Sequence, residues 1–248
     1  MIVDKLNDII NGNNESSTII NLCIFIKENI TTINDMTIDE IASACFMSKG
    51  QVSKCIRKLD YKNYEEFKNA CLDYNDSLIS RTGIFKHEYT LKQNIEHYTN
   101  SYINTLLNIL PVINYSLLQE LTNDIINSHK IYVYGHGDVR TVCYMMQREL
   151  NTMNKSVIIC DVDYVKKYHY QDSDLLIMLS TNGQTFHYHK RIVSRILKEQ
   201  VSKWLITCQS EIDFPDKKFV IPTRNSVYNE SLMLYLINLL LMNIKHNL

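Results

Sequence analysis

The amino-acid sequence predicts an α-helical helix-turn-helix domain followed by an α/β three-layer domain with a five-stranded parallel sheet. The first part has helical periodicity, with two short helical patterns that meet at a tight break near Met47. From residue 131 onward, short apolar runs alternate with longer helical patterns, which is typical of a parallel sheet covered on both faces. The predicted division is a helix-turn-helix domain at residues 1–77, a linker helix at 78–110 and the α/β domain at 111–248.

Composition and charge exclude a disordered chain and a nucleic-acid-binding protein that is basic throughout. The chain has 248 residues, of which 45% are hydrophobic and 21% charged, as in globular domains. Its formal net charge is −1, so any contact with DNA must come from a local basic patch. None of the seven cysteines is in a CxxC motif, so neither a zinc site nor a disulfide framework is predicted. Reduced thiols and an N-terminus without a secretory signal predict a cytoplasmic protein, and the apolar run Leu232–Met242 is too short to span a bilayer.

Two capping-box patterns mark the helix pair. Thr37 and Glu40 fit the N-cap and N3 positions of the first helix, and Ser48 and Gln51 fit those of the second. The outward face of the second helix presents Ser48, Lys49, Gln51, Ser53, Lys54, Arg57 and Lys58. Because this stretch carries no acidic residue, the face is a candidate DNA-binding surface. The alternative is a pair of surface helices with a solvated basic face.

Further helical patterns flank this pair. They are predicted at Met1–Ile10, Ile19–Ile30, Asn63–Ser80, Leu91–Ile109 and Tyr115–Ser128. A polar break separates the first two, and Gly83 is the clearest break in the domain boundary predicted between Arg81 and Tyr89. The apolar face of Leu91–Ile109 indicates a helix that links domains and pairs with a second subunit.

The second half of the chain contains five predicted strands. They are Ile131–Gly135, Ser156–Asp161, Leu175–Ser180, Lys203–Cys208 and Lys218–Pro222. Helices are predicted at Asp138–Asn151, Gln184–Gln200 and Ser226–His246. In such sheets a ligand binds beyond the carboxyl ends of the strands, near the point where the strand order reverses.

Two turns between a strand and a helix contain candidate ligand-binding residues. Those of the first turn are Gly135, His136 and Gly137, and those of the second are Ser180, Thr181, Asn182, Gly183 and Thr185. Glycines admit a ligand to the backbone, and neutral hydroxyl and amide donors at a helix start suit a sugar phosphate. The alternative is two ordinary polar turns. The first turn lacks the third glycine of a dinucleotide fingerprint. His187 and His189 are two residues apart, and such residues do not face each other on a helix, so no metal site is predicted there.

The run from Ala42 to Phe67 resembles the N-terminal domain of the RpiR family, which are bacterial transcription regulators that respond to phosphosugars. The matching positions are Ala42, Ser48, Val52, Ser53, Lys54, Lys58, Leu59, Tyr61, Tyr64, Glu66 and Phe67. Gly50 departs from the usual Ala or Pro of that family, and Asp60 departs from its Gly. A glycine at the latter position would stop the helix in a left-handed conformation, which Asp can adopt at some cost.

The two turns resemble those of the SIS (sugar isomerase) domain, the usual C-terminal partner of the RpiR helix-turn-helix. Residues 135–139 are similar to its G-x-G-x-S turn and residues 180–185 to its S-x-S-G-x-T loop, and Thr207 matches a threonine at the next strand end. Val139 and Asn182 replace two serines of those motifs. A phosphosugar would then bind through the remaining hydroxyls and backbone amides, or else the ligand is altered or the pocket is vestigial.

The resemblance implies a regulator of sugar metabolism genes whose activity a bound phosphosugar modulates, and not an enzyme. The implied partners are a double-stranded DNA operator, a sugar phosphate effector, and further copies of the chain in a homodimer or homotetramer. No catalytic residue, cofactor, metal or membrane partner is predicted. Two alternatives stay open: a phosphosugar isomerase, for which Glu149 and Glu230 are available acids, and an SIS binding module without a regulatory role.

Overall fold

The computed structural model describes residues 2–12, 15–82, 84–162 and 164–248. They form two compact units that separate between Ile84 and Phe85. The predicted break at Gly83 lies outside the described residues, as do two positions of the predicted polar break near residue 13. The functional division at residues 77 and 110 stays a prediction.

The first unit is built from helices. They are α1 (Ile2–Asn11), α2 (Ser17–Glu28), α3 (Ile38–Ala44), α4 (Lys49–Lys58) and α5 (Tyr64–Thr82). Both predicted capping boxes are confirmed, because Thr37 and Ser48 each accept a hydrogen bond from the N3 amide and donate one from their own amide to the N3 side chain. These caps fix the start of each helix of the pair.

Helices α3 and α4 both end in a Schellman motif whose left-handed residue is not glycine. After α3, Phe46 has φ 54°, and the Met47 amide donates to the Ala42 carbonyl at 2.8 Å. After α4, Asp60 has φ 65°, and the Tyr61 amide donates to the Ile56 carbonyl at 3.2 Å. The left-handed stop that Asp60 was expected to adopt is therefore confirmed, and the break between the helices is centred on Phe46.

The core of the first unit fixes the second helix of the pair. Val52, Cys55 and Ile56 of α4 are buried, as the apolar pattern predicts. The Cys23 thiol of α2 donates a hydrogen bond to the Cys55 sulfur, which lowers the pKa of Cys55. With its inner face held in this way, α4 turns its polar residues outward.

The second unit is a parallel α/β fold. Its strands are β1 (Lys130–Gly135), β2 (Ser156–Ile159), β3 (Leu175–Ser180), β4 (Ser202–Thr207) and β5 (Lys217–Val220), in the order β2-β1-β3-β4-β5. Its helices are α6 (Leu91–Ile109), α7 (Tyr115–Asn127), α8 (Val139–Thr152), α9 (Gln184–Tyr188), α10 (Lys190–Lys198) and α11 (Asn229–Asn247). All strand pairs are parallel, so the predicted five-stranded parallel sheet is confirmed.

Alternate residues of each strand face two different cores. In β1, Ile131 and Val133 pack in the core that also holds Leu240 of α11, whereas Tyr132 and Tyr134 pack in the core on the other face. Ser226–Asn247 is long and apolar enough to cross a bilayer, but half of its most apolar window is buried inside this protein. That burial is typical of a core helix.

The prediction of one helix from Gln184 to Gln200 is wrong. The chain forms two helices there, α9 and α10, with a break at His189. At this residue φ is −117° and ψ is 43°, outside the helical range. The break directs the His189 side chain into the protein, where it is buried.

Candidate functional site

The two candidate loops meet at the switch point of the sheet. Strand β1 pairs with β2 on one side and β3 on the other, so the chain order reverses between β1 and β3. Gly135 at the end of β1 is in register with Leu179, one residue before the end of β3. The loops that follow these strands therefore leave the same edge of the sheet side by side, where open α/β sheets bind ligands.

The glycines of the first loop have different roles. A Cβ atom on Gly135 would lie 2.6 Å from the Cys143 sulfur and 2.9 Å from Cγ2 of Val139. Gly135 therefore allows α8 to approach the strand, whereas its predicted role in ligand binding is untested. Gly137 has φ 67° and makes the turn into α8.

The second loop brings buried hydroxyl groups to the sheet edge. Ser180, Thr181 and Thr185 are buried, while Asn182 and Gly183 are partly exposed. Gly183 has φ 72° and precedes α9. Since α9 has only five residues, its dipole contributes little, and the hydroxyls and amides of this loop are the groups available to an anion.

Val139 begins α8 and has its side chain in the core of the second unit. It is 4% exposed and packs in the core that holds Cys143 and Met146. The position that carries a serine in the similar motif therefore contributes to core packing in this chain. Whether an anion binds there now depends on the other groups of the two loops.

Three residues at this edge were not predicted as site residues. His189 places its ring centroid 5.0 Å from that of His136, and both are buried. Asn229, the first residue of α11, donates from Nδ2 to Oδ1 of Asn182 at 2.7 Å. Arg140 in the first turn of α8 donates from Nη1 to the Cys160 carbonyl at 2.6 Å. Arg140 and His189 follow the two loops closely in sequence, but neither is part of the turn motifs. Asn229 belongs to α11, which only the tertiary fold brings to the second loop.

The second unit contains thiols and carboxyl groups that could serve acid–base or nucleophilic chemistry. Burial raises the pKa of Cys143, Cys160 and Cys208 to about 12, so these thiols are protonated near neutral pH. Glu149 pairs with Arg148 at 2.9 Å near the end of α8 that lies away from the loops. Glu230 stands at the start of α11 beside Asn229, and Asp138 lies in the first loop at the N-cap of α8, so two carboxyl groups belong to this sheet edge. Among the described residues, no three His, Cys, Asp or Glu side chains are grouped as metal ligands.

A separate cleft of about 580 Å³ lies in the second unit, between the end of α6 and the segment after β5. It is lined by Thr105, Asn108, Ile109, Val112, Pro222, Thr223, Arg224 and Asn225. None of the predicted ligand-binding residues lines it, so the cleft and the loop site are distinct surfaces.

The candidate DNA-binding face of α4 is solvent-exposed. Ser48, Lys49, Gln51, Lys54, Arg57 and Lys58 are exposed, and Ser53 is partly so. The sequence of α4 contains no acidic residue, but two of its cations pair with acidic residues of other elements. Lys49 bonds Asp39 at 2.9 Å, and Lys58 bonds Glu15.

Lys54 and Arg57 carry the free positive charge of this face. The structure gives neither side chain a carboxylate partner within its described part, and Nε of Arg57 donates to the Ser53 carbonyl at 3.3 Å. Oε1 of Gln51, a predicted base reader, accepts from the Ser48 amide at 2.8 Å. Its Nε2 group remains a donor that can reach outward.

Comparison with known proteins gives structural likeness only. No protein-family model and no curated protein matches the sequence. Phosphoheptose isomerase GmhA from Neisseria gonorrhoeae is 12% identical with a TM-score of 0.52, over 63% of this chain and 100% of that one. A protein described as hypothetical is 14% identical with a TM-score of 0.52, over 62% of this chain and 89% of that one. The Vibrio vulnificus NanR protein complexed with ManNAc-6P is 15% identical with a TM-score of 0.49, over 100% and 92%.

The likeness to the isomerase and to the hypothetical protein shows a shared fold. The five-stranded parallel sheet of this chain, with its covering helices, is an SIS-like α/β fold. At such low identities the residues of the site have to be judged from their own geometry.

Proposed function

We propose that this chain is a DNA-binding transcription regulator whose second unit binds a sugar phosphate. The main support is the pairing of an exposed basic α4, capped and positioned as the second helix of a helix-turn-helix, with two polar loops at the switch point of an SIS-like sheet. Each feature alone has an ordinary structural explanation. Their presence in one chain favours a regulator with a ligand-sensing domain.

The DNA-binding part of the proposal rests on the chemistry of α4. Lys54 and Arg57 supply charge for phosphate contacts, while Gln51 and Ser53 offer amide and hydroxyl groups that can discriminate base edges. With a net charge of −1, one such patch gives weak affinity, so two patches on one DNA site are needed.

A homo-oligomer follows from this requirement and from exposed apolar side chains. On α6, Leu91, Ile95, Ile103 and Leu107 are exposed, although the opposite side of the same helix packs in the core. Contact with a second copy would cover them, and a two-fold axis would present two α4 helices to a palindromic site. Sedimentation at micromolar concentration should show a dimer or a larger species.

The ligand part of the proposal rests on the loop groups. Ser180, Asn182 and Thr185 provide neutral donors at the sheet edge, and an anionic sugar would use them together with backbone amides. An effector changes DNA affinity only if it binds the two oligomer geometries unequally.

A phosphosugar isomerase is the second candidate, because the fold is shared with an enzyme of that kind. Isomerisation needs a general base beside the substrate carbon, and Glu230, in the first turn of α11, is a candidate for that role. An SIS binding module without a regulatory role is the third candidate.

One experiment separates the three candidates. A mobility-shift assay with DNA from the chain's own promoter and from neighbouring sugar genes should give a discrete complex that survives excess non-specific DNA. Absence of such a complex, with aldose–ketose exchange in the same preparation, would favour the isomerase. Absence of both, with sugar phosphate binding retained, would favour the binding module.

A further inference from the structure

Asn229 lies beside the second loop although it belongs to a distant part of the chain. It is the first residue of α11 and is only 1% exposed. Its Nδ2 group donates to Oδ1 of Asn182 at 2.7 Å, and its backbone carbonyl accepts from the Cys208 thiol at 3.8 Å. These two contacts hold the carboxamide at the sheet edge where β3 and β4 end.

Two buried polar atoms at this edge lack a hydrogen-bond partner within the part of the chain that the structure describes. They are Oδ1 of Asn229 and Oγ1 of Thr181, a residue that is 5% exposed and directly precedes Asn182. Most buried polar atoms in folded proteins are hydrogen-bonded, because burying them without a partner is unfavourable. Two such atoms linked through Asn182 indicate a site whose partners come from a bound molecule.

We propose that Asn229 and Thr181 form a subsite that recognises a sugar hydroxyl of the anionic ligand. This inference rests on the proposed sugar phosphate site and adds the group that the site reads next to the anion. A carboxamide oxygen is only an acceptor, so its partner must be a donor, such as a ligand O–H group. The Thr181 hydroxyl can donate or accept and can bond the same sugar.

The Asn182–Asn229 contact also sets which group Asn182 offers. Its oxygen is engaged by Asn229, so its NH₂ group is the part free to bond an anion. A phosphate group, an acceptor at neutral pH, is suited to the Asn182 donor and unsuited to the Asn229 oxygen. The two asparagines therefore read different parts of one ligand, with phosphate on one side and a hydroxyl on the other.

The test is calorimetry on the full chain. The probes are glucose 6-phosphate, fructose 6-phosphate, ribose 5-phosphate, N-acetylglucosamine 6-phosphate and inorganic phosphate. We expect Asn229→Ala to weaken binding of the sugar phosphate that binds best by about 3- to 10-fold, the range for loss of one neutral hydrogen bond. Binding of inorganic phosphate should weaken by a smaller factor, because the variant keeps the Asn182 NH₂ group and removes only the contact that orients it. Asn238→Ala, at an exposed position of the same helix, is the matched control and should alter neither.

A second measurement does not depend on how well the variant folds. Monodeoxy analogues of the best-binding sugar phosphate are titrated into the wild-type chain, and one of them should bind more weakly than the parent by the same factor of about 3 to 10. That difference should vanish in Asn229→Ala, because the hydroxyl and its acceptor act as a pair.

The outcomes are distinct for the two proposals. The hydroxyl subsite alone is overturned if the wild-type chain binds the parent sugar phosphate and all its deoxy analogues equally well. It is also overturned if Asn229→Ala weakens the binding of sugar phosphate and of inorganic phosphate by the same factor. Binding of none of the sugar phosphates by the wild type overturns the proposed ligand class, and the subsite with it.

Discussion

The imidazole rings of His136 and His189 lie with their centroids 5.0 Å apart and their planes inclined by 39°. One ring follows β1, and the other occupies the break between α9 and α10. Both rings are buried, so their contact connects the segments after β1 and after β3 within the protein interior. The broken helix and the position of the loops are thus parts of one arrangement.

Removing one ring of this pair should loosen the second loop. We expect His189→Ala to lower the free energy of unfolding by about 1–3 kcal/mol, because a buried ring and its packing are removed. It should also weaken sugar phosphate binding, because Thr185 and His189 belong to the same turn. His187→Ala, at an exposed position of α9, is the matched control. Equal unfolding midpoints for the two variants in urea would contradict a structural role for the pair.

The second prediction concerns the free cations of α4. Lys54→Ala and Arg57→Ala should each weaken operator binding, because each would remove a cation that can bind a DNA phosphate. The slope of log K against log salt concentration should become shallower by about 1 for each phosphate that is no longer neutralised. Fluorescence anisotropy at several salt concentrations measures both quantities. Lys27→Ala, an exposed lysine on α2, should leave them unchanged. An unaltered salt slope in the Lys54→Ala, Arg57→Ala double variant would mean that another surface binds DNA.

The third prediction concerns the turn between α3 and α4. Phe46 has φ 54° and is 98% exposed, so its side chain contributes little packing to offset the left-handed backbone. Phe46→Gly should therefore raise the free energy of unfolding by about 0.5–1 kcal/mol, the backbone gain less the flexibility of glycine in the unfolded chain. Phe46→Ala separates the causes, since it removes the ring but keeps a Cβ atom. A stabilisation by Ala as large as that by Gly would place the strain in the ring and not in the backbone.

The fourth prediction tests the role of Val139. Its side chain packs in the core, so Val139→Ser should lower the free energy of unfolding by about 1–3 kcal/mol, because apolar burial decreases and a hydroxyl is buried. Sugar phosphate affinity should not rise, because the new hydroxyl would face the core. Val139→Ala is the control for the smaller volume alone. A gain in affinity with Ser but not with Ala would show that position 139 faces the ligand after all.

Local patterns predict much of this fold, and contacts between distant elements account for what they miss. The capping boxes at Thr37 and Ser48 and the helix Leu91–Ile109 depend on neighbouring residues, and they were predicted correctly. The break at His189 depends on packing against His136, a residue in another loop. A prediction from periodicity alone therefore extended the helix to Gln200.

The candidate site shows the same limit. Ser180 and Thr185 could be read from a turn motif, and the structure buries both at the switch point. Asn229 could not be predicted as a site residue, because its contact with Asn182 forms only in the folded chain, where the start of α11 lies at the edge of the sheet. Likewise, the acidic partner of Lys58 is Glu15, outside the stretch in which charge was judged.

The last prediction concerns the hydroxyl of Thr185. It is buried in the first turn of α9, two residues after the left-handed Gly183. If this hydroxyl donates to a charged phosphate oxygen, Thr185→Val should cost about 1.5–3 kcal/mol of binding free energy, roughly 10- to 150-fold in affinity. Thr185→Ser should keep most of the affinity, because it keeps the donor.

Calorimetry with the sugar phosphate that binds the wild type best measures this change, and Thr152→Ala, at the far end of α8, is the control. DNA affinity without ligand should be unchanged in Thr185→Val, because the variant alters only the ligand site. The response of DNA affinity to the sugar phosphate should weaken in proportion to ligand binding, since an effector can shift two states only by its unequal affinity for them. Full response in a variant that no longer binds the sugar phosphate would mean that the effector acts at another site, for which the cleft beside Arg224 is the first surface to test.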